Sequence, residues 1–149
     1  MSFHVEAQKI LPDFLFGVAY YPEHDLPEHR ECDIERLRAA GVNVVRMGEF
    51  AWDLMELREG EFDFSFFDAQ VNRLGAAKIR TILCTPTAAP PAWLTRKYPD
   101  VLQVDAHGRT MQHGSRQHAS LCSPTYREFS RRITRAMARH FAVNPHVIG

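Results

Sequence analysis

Apolar residues in this chain gather in short runs, and amphipathic segments separate the runs. Three runs have the length of buried strands, at residues 14–21, 42–48 and 80–85. Between them, residues 27–41 and 65–78 carry apolar side chains at helical spacing. Strands that alternate with helices predict a parallel sheet with right-handed crossovers, which is an α/β fold.

Local signals support the two intervening helices. Pro27 suits the first position of a helix, and Gly41 suits the position after the last turn. We expect each helix to bury one face against the sheet. The residues predicted to form these faces are Ile34, Leu37 and Ala40 in the first helix and Phe67, Val71 and Leu74 in the second.

The connections outside this repeating pattern are predicted to be irregular. Residues 56–60 read as a loop, and residues 86–91 contain too many prolines to continue a strand or a helix. A short helix is expected over residues 91–98. Residues 101–104 and 109–112 flank a turn sequence, which predicts a hairpin.

A long helix ends the pattern. Ser123 is suited to cap it and Pro124 to begin it. Its buried stripe is predicted to consist of Phe129, Ile133 and Met137. Residues 146–149 read as the opening of a fourth strand, and no repeat or second-domain boundary interrupts the chain.

Composition narrows the class of protein. The chain has 149 residues, of which 45% are hydrophobic and 24% charged, as in an ordinary soluble domain. Lys plus Arg and Asp plus Glu are equal at 18 each, and this balance argues against a nucleic-acid-binding surface. The last helix carries a local basic run, which is either a solvated face or a face that packs on acidic neighbours. The run comprises Arg127, Arg131, Arg132, Arg135 and Arg139.

The sequence also bears on the compartment. Residues 1–9 lack the apolar core of a signal peptide, and no run approaches the ~20 apolar residues of a membrane span. The cysteines, Cys32, Cys84 and Cys122, are odd in number and far apart, which favours free thiols over a disulfide framework. We therefore predict a cytoplasmic protein without a membrane partner.

Candidate chemistry follows the second predicted strand. Residues 44–52 begin as a buried strand and end with Arg46, Glu49 and Trp52. In parallel α/β proteins the carboxyl ends of strands house the active site. Arg46 and Glu49 either orient a catalytic carboxylate or a substrate hydroxyl, or they form a structural ion pair.

Further polar and aromatic residues leave two interpretations open. Glu23 and His24 could perform acid–base chemistry, or they form a turn with a solvated glutamate. Trp52 and Trp93 offer either flat faces for a sugar or core packing, and Phe50 is expected in the core. Loop residue Arg116 carries a fork of donors suited to paired hydroxyls or a carboxylate, although a loop arginine without a role is the simpler interpretation. No complete metal-ligand spacing and no phosphate-binding glycine loop is present.

Several of these motifs together resemble a known family. Residues 17–24, 45–52 and 85–94 are similar to the N-terminal catalytic region of glycoside hydrolase family 42 β-galactosidases. Further matching positions are Tyr98, Pro99, Val104, Asp105, Arg116, His118, Ser123 and Pro124. The resemblance implies a retaining hydrolase of terminal β-D-galactosyl residues. It also implies that residues 1–149 form the N-terminal portion, about the first half, of a (β/α)₈ TIM barrel that stops at the start of strand four.

The resemblance also assigns roles to individual residues. The two catalytic glutamates of the family would lie beyond Gly149, so no catalytic residue is predicted within this chain and the chain alone should be inactive. Arg116 matches an arginine that contacts galactose, and Arg46, with Glu49 and Trp52, belongs to a motif that supports the active site. Some members hold zinc through cysteines, but the matching position here is Ser120, so neither a metal nor a cofactor is predicted.

A partial barrel would expose strand edges, so we expect self-association or association with the remainder of the barrel. The predicted ligand is a β-galactoside. Two alternatives stay open: a non-catalytic carbohydrate-binding or interaction module derived from the barrel, and a related glycosidase such as an arabinopyranosidase.

Overall fold

The computed structural model describes residues 14–114 and 118–149 of the chain. In chain order its strands and helices are β1 (Gly17–Ala19), α1 (Pro27–Ala39), β2 (Val44–Met47), α2 (Trp52–Met55), β3 (Glu56–Arg58), β4 (Glu61–Phe62), α3 (Ser65–Ala76), β5 (Arg80–Leu83), α4 (Ala92–Lys97) and α5 (Pro124–Phe141). Short 3₁₀ segments lie at Pro22–His24, Pro86–Ala88 and Pro99–Val101. None of the helices in the described ranges combines the length and the apolar composition needed to cross a membrane.

The central sheet is parallel, as the alternation of strands and helices predicts. Its strand order is β1-β2-β5, so neighbours in the sheet follow one another in the chain. At the free side of β5, Thr81 pairs in parallel with Val147. The Thr81 amide donates to the His146 carbonyl at 2.8 Å, and the Ile148 amide donates to the Thr81 carbonyl at 2.9 Å. The expected fourth strand therefore begins to pair where the sequence places it.

The helices bury the faces that their apolar spacing predicts. Phe67, Val71 and Leu74 of α3 share one core with the stripe of α5, which comprises Phe129, Ile133 and Met137. Burying each such side chain contributes roughly 1.5–3 kcal/mol to folding. In α1, Ile34 is buried and Leu37 partly buried, but Ala40, which follows the last residue of the helix, is exposed.

The predicted helix ends are confirmed. Ser123 caps α5 by accepting a hydrogen bond from the Tyr126 amide at 3.1 Å, and Pro124 occupies the first position. Pro27 begins α1, and Gly41 follows it with a φ of 78°, in the left-handed region that favours glycine.

Two connections differ from the sequence predictions. Residues 56–60 are not a loop, because β3 and β4 form an antiparallel hairpin in which Glu56 pairs with Phe62. The hairpin expected over residues 101–112 has its turn, where the Asp105 carboxylate accepts from the amides of His107 and Arg109 at 2.8 and 2.9 Å. Its arms form one bridge, between Val104 and Thr110, and the Met111 amide donates to the Gln103 carbonyl beside it, but these contacts are too few to form strands.

Candidate functional site

A hollow of about 860 Å³ opens at the carboxyl ends of the parallel strands. We call it the main hollow. Arg46 and Glu49 reach it from the end of β2, and Cys84 and Thr85 from the end of β5. Its opposite wall comes from the long segment between β5 and α5 and from the first turn of α5, which supplies Tyr126. The residues of the segment that line the wall are Thr87, Ala88, Gln103, Ala119, Ser120, Leu121 and Cys122. Polar groups at strand ends beside a hollow match the usual position of a ligand site in a parallel sheet.

Arg46 and Glu49 form an ion pair at the edge of the main hollow. The Arg46 Nη2 atom lies 2.7 Å from Glu49 Oε2, and the Tyr21 hydroxyl donates to the same oxygen at 3.2 Å. Gly48 makes the tight turn between them possible because its φ of 87° is in the left-handed region. The chain thereby returns Glu49 to the arginine that ends the strand.

The Arg46 guanidinium remains available to a ligand despite this pair. Its Nη1 donates to Cys84 Sγ at 3.5 Å, yet 45% of the side chain is still exposed. The Cys84 sulfur and then the Glu49 carboxylate raise the pKa of Arg46, which keeps the guanidinium charged. A guanidinium has five N–H donors, so several can still meet a hydroxyl or a carboxylate in the main hollow.

The two tryptophans do not line the main hollow. Trp52 is completely buried, and its indole N–H donates to Glu56 Oε2 at 2.8 Å. Trp93 is half-buried, donates to the Glu56 carbonyl at 2.8 Å and packs edge-on against Phe129. Both tryptophans therefore pack against the core, and neither offers a flat face to a sugar in the main hollow. Any support that Trp52 gives to the site is therefore indirect, through the turn that precedes it.

Phe50 is only partly a core residue, contrary to the expectation. Its ring stacks on Tyr21 at 5.9 Å, and its other side lines a smaller hollow of about 330 Å³ with His24 and Asp53. The reason is its position, because Phe50 lies in the turn after β2, outside the sheet.

Glu56 is a functional-looking residue that the sequence analysis missed. It is completely buried, and its carboxylate accepts from the Trp52 indole, from the Gly60 amide at 2.8 Å and from Arg132 of α5. The Arg132 guanidinium also stacks on Phe129, 4.3 Å from its ring centre. The only local sign of this network in the sequence is that Glu56 follows Trp52 by four residues.

Glu23 is not the solvated turn residue of the simpler interpretation. Both of its carboxyl oxygens are buried, and neither has a hydrogen-bond partner among the described residues. Burial raises the pKa of this carboxyl, and Asp53 adds to the effect. His24 stacks on Tyr21 with a ring distance of 5.8 Å.

Arg116 lies outside the described residues. The structure does describe residues close to it in the chain, where His118 is buried and Ala119 and Ser120 line the main hollow. The contact of Arg116 with galactose, which the family resemblance implies, stays a prediction.

The zinc site of some family members does not fit the described residues. Ser120, at the position that matches a cysteine ligand, lines the main hollow. In residues 14–114 and 118–149 no group of three or more histidine, cysteine, aspartate or glutamate side chains is arranged to hold a metal ion.

Comparison with known proteins assigns this chain to a family. The glycoside hydrolase family 42 model, described as β-galactosidase, matches residues 19–149. The β-galactosidase BgaH of Haloferax lucentense is 44% identical over 133 residues, which cover 89% of this chain and 20% of that protein. The β-galactosidase BglY of Alicyclobacillus acidocaldarius is 41% identical over 151 residues and covers the whole chain, which corresponds to 22% of that protein.

Solved structures agree with this placement. A β-galactosidase from the haloarchaeon Halorubrum lacusprofundi superposes with a TM-score of 0.85 at 40% identity, over 91% of this chain and 20% of its own. The β-galactosidase of Bacillus circulans sp. alkalophilus gives 0.88 at 32% identity, over 94% and 21%. The chain thus spans about a fifth of the length of the curated relatives it matches. Because the family model covers nearly all of the described residues, the chain belongs to glycoside hydrolase family 42, the β-galactosidases.

Proposed function

We propose that this chain is the N-terminal part of a (β/α)₈ barrel and forms one side of the sugar site of a retaining β-galactosidase. The parallel order β1-β2-β5, followed by pairing of Thr81 with Val147, supports the barrel, because consecutive neighbouring strands are its repeating unit. The names of the relatives support a galactoside as the substrate. The observation that carries the proposal is the Arg46–Glu49 pair at the main hollow.

In this proposal Arg46 binds the sugar. Its remaining N–H groups donate to ring hydroxyls of galactose, while Glu49, which also accepts from Tyr21, holds the guanidinium in place. Charge-assisted hydrogen bonds of this kind are stronger than those between neutral groups. The residue therefore positions the glycosidic bond and takes no part in breaking it.

The bond-breaking carboxylates are proposed to lie outside this chain. A retaining glycosidase needs two carboxyl groups about 5–5.5 Å apart, one as the acid–base and one as the nucleophile. Glu49 is engaged by Arg46 and Tyr21, and the Glu23 oxygens are buried. Neither is placed to serve as the second carboxylate, so we expect no hydrolysis by the 149-residue chain alone.

Sugar titrations test the proposal. We expect galactose to bind the protein and Arg46→Ala to weaken binding by about 10- to 100-fold, the usual effect of losing hydrogen bonds from a charged donor. Isothermal titration calorimetry measures the affinity. Arg58→Ala is the matched control, because Arg58 lies on the β3–β4 hairpin and is 77% exposed. Unchanged affinity of Arg46→Ala would contradict the proposed sugar contact.

The same assay separates the alternatives. Turnover of a nitrophenyl β-galactoside by the isolated chain would contradict the assignment of the catalytic carboxylates to other residues. Galactose binding without turnover in the entire polypeptide would instead favour a carbohydrate-binding module. Preference for an α-L-arabinopyranoside over the β-galactoside would favour an arabinopyranosidase.

A further inference from the structure

The wall of the main hollow that faces away from the strands contains a polar residue with a fixed backbone. Gln103 lies between α4 and α5, just after the 3₁₀ segment Pro99–Val101. Its amide donates to the His118 carbonyl at 2.8 Å, and its carbonyl accepts from the Met111 amide at 2.8 Å. These two hydrogen bonds hold the main chain at Gln103, so the position of its Cα atom is fixed.

The Gln103 carboxamide is free to bind a ligand. The side chain is exposed at the main hollow, and no hydrogen bond joins its carboxamide to another described residue. A carboxamide offers two N–H donors and an acceptor oxygen. This set suits neighbouring sugar hydroxyls, each of which both donates and accepts. By contrast, the nearby Tyr126 hydroxyl is already used, because it donates to the Thr87 carbonyl.

The main hollow extends from the strand ends to the segment between α4 and α5, since both Arg46 and Gln103 line it. Arg46 belongs to a strand end, whereas Gln103 and Leu121 belong to the irregular segment that borders solvent. A terminal galactosyl residue enters such a site first, and the unit attached to it stays nearer the opening.

From this arrangement we propose that Gln103 hydrogen-bonds the leaving group of the substrate and favours a sugar in that position over an aryl group. The inference rests on the proposed function, since it needs galactose to occupy the Arg46 end. A second sugar brings hydroxyls that the carboxamide can both donate to and accept from. A nitrophenyl group brings no hydroxyl, so it gains little from Gln103.

Titration of the 149-residue chain, from which we expect no hydrolysis, with galactose and with lactose, a galactosyl-glucose disaccharide, tests the inference. In Gln103→Leu, which keeps a similar volume without the amide, we expect galactose affinity to stay within about two-fold and lactose affinity to fall about 3- to 10-fold, as for a lost hydrogen bond. Gln112→Ala is the control, because this glutamine lies in the same segment but does not line the main hollow. Calorimetry gives the affinities, and thermal unfolding confirms that the variants fold.

Every other result contradicts the inference, and each result points to a different reason. Equal weakening of galactose and lactose binding would place Gln103 in the galactose subsite. Unchanged lactose affinity would show that the carboxamide has no role, while galactose binding would leave the proposed function intact. An equal effect of Gln112→Ala would show that the loss does not come from the main hollow. Absence of galactose binding by the unsubstituted protein would reject the proposed function, and the inference with it.

Discussion

Two glutamates at neighbouring strand ends have opposite environments. Glu49, after β2, is paired with Arg46 and accepts a second hydrogen bond from Tyr21. Glu23, after β1, has buried carboxyl oxygens and no hydrogen-bond partner among the described residues. An ionised carboxylate without donors is costly to bury. Glu49 therefore has a cation and a hydroxyl as partners, whereas burial of Glu23 favours its protonated form.

The raised pKa of Glu23 predicts a pH-dependent stability. The folded state holds the proton to a higher pH than the unfolded chain does, so the favourable contribution of the protonated carboxyl is complete below the unfolded pKa, about 4.3, and is lost as the pH rises through the folded pKa. We expect Glu23→Gln to raise the melting temperature at pH 7 and to change it little at pH 4. Thermal unfolding at both values measures this difference.

Glu35 provides the control for this experiment, because it is exposed on α1. Glu35→Gln should leave the melting temperature unchanged at both pH values. A Glu23→Gln variant that melts at the same or a lower temperature than the original protein at pH 7 would contradict the effect of burial.

At the level of elements, one buried carboxylate joins parts of the chain that are distant in sequence. Glu56 connects α2 through Trp52, the β3–β4 hairpin through Gly60 and α5 through Arg132. Its carbonyl also accepts from Trp93 of α4. Trp52 directly follows the turn that carries Glu49, so the Glu56 network anchors the chain just after that turn.

Removal of this carboxylate should be strongly destabilising. In Glu56→Ala, the half-buried Arg132 would lose the closer of its two carboxylate partners and keep only Glu59, 4.0 Å away, and the Trp52 indole N–H would lose its acceptor. We expect the free energy of unfolding to fall by about 3–5 kcal/mol, the usual cost of breaking a buried ion pair. Glu128→Ala, which removes the partner of Arg131 on the exposed face of α5, should cost less than about 1 kcal/mol. Urea unfolding compares the two, and equal losses would contradict the role of burial.

Sequence reasoning succeeded where the determining contacts are local. The apolar spacing of Phe67, Val71 and Leu74 and the cap at Ser123 are set within a few turns of helix, and both α3 and α5 are found where they predict. It failed at Glu56, because the arginine that makes its burial possible is 76 residues away. The pairing of Arg46 with Glu49 was foreseeable at three residues' separation, whereas the sequence left the burial of Trp52 as one of two interpretations.

At the level of the whole molecule, the sheet is covered unevenly. β1 pairs with β2 on one side, and within the described residues no strand lies on its other side. Its three residues are exposed, and apolar side chains continue the surface, with Phe14 73% exposed and Phe16 48% exposed. An uncovered apolar strand edge is a surface on which further chain can pair.

We expect the 149-residue chain to associate through this edge. Gel filtration over a range of concentrations should show species larger than a monomer, and Val18→Lys should reduce them because a charge on an edge strand opposes pairing. Leu57→Lys is the control, since Leu57 is as exposed as Phe14 but lies on the β3–β4 hairpin. A monomer at every concentration would contradict the expected association through β1.

The cytoplasmic location also stays a prediction.

The pairing of Arg46 with Glu49 has a thermodynamic consequence for ligand capture. A long arginine side chain that moves freely loses rotamer freedom when a ligand arrives, at a cost of about 0.5–1.5 kcal/mol. Here the 2.7 Å contact with Glu49 and the 3.5 Å contact with Cys84 restrict the guanidinium before any sugar is present. That entropy is already lost when the protein folds, so more of the attraction between the guanidinium and a hydroxyl is left to hold the galactoside.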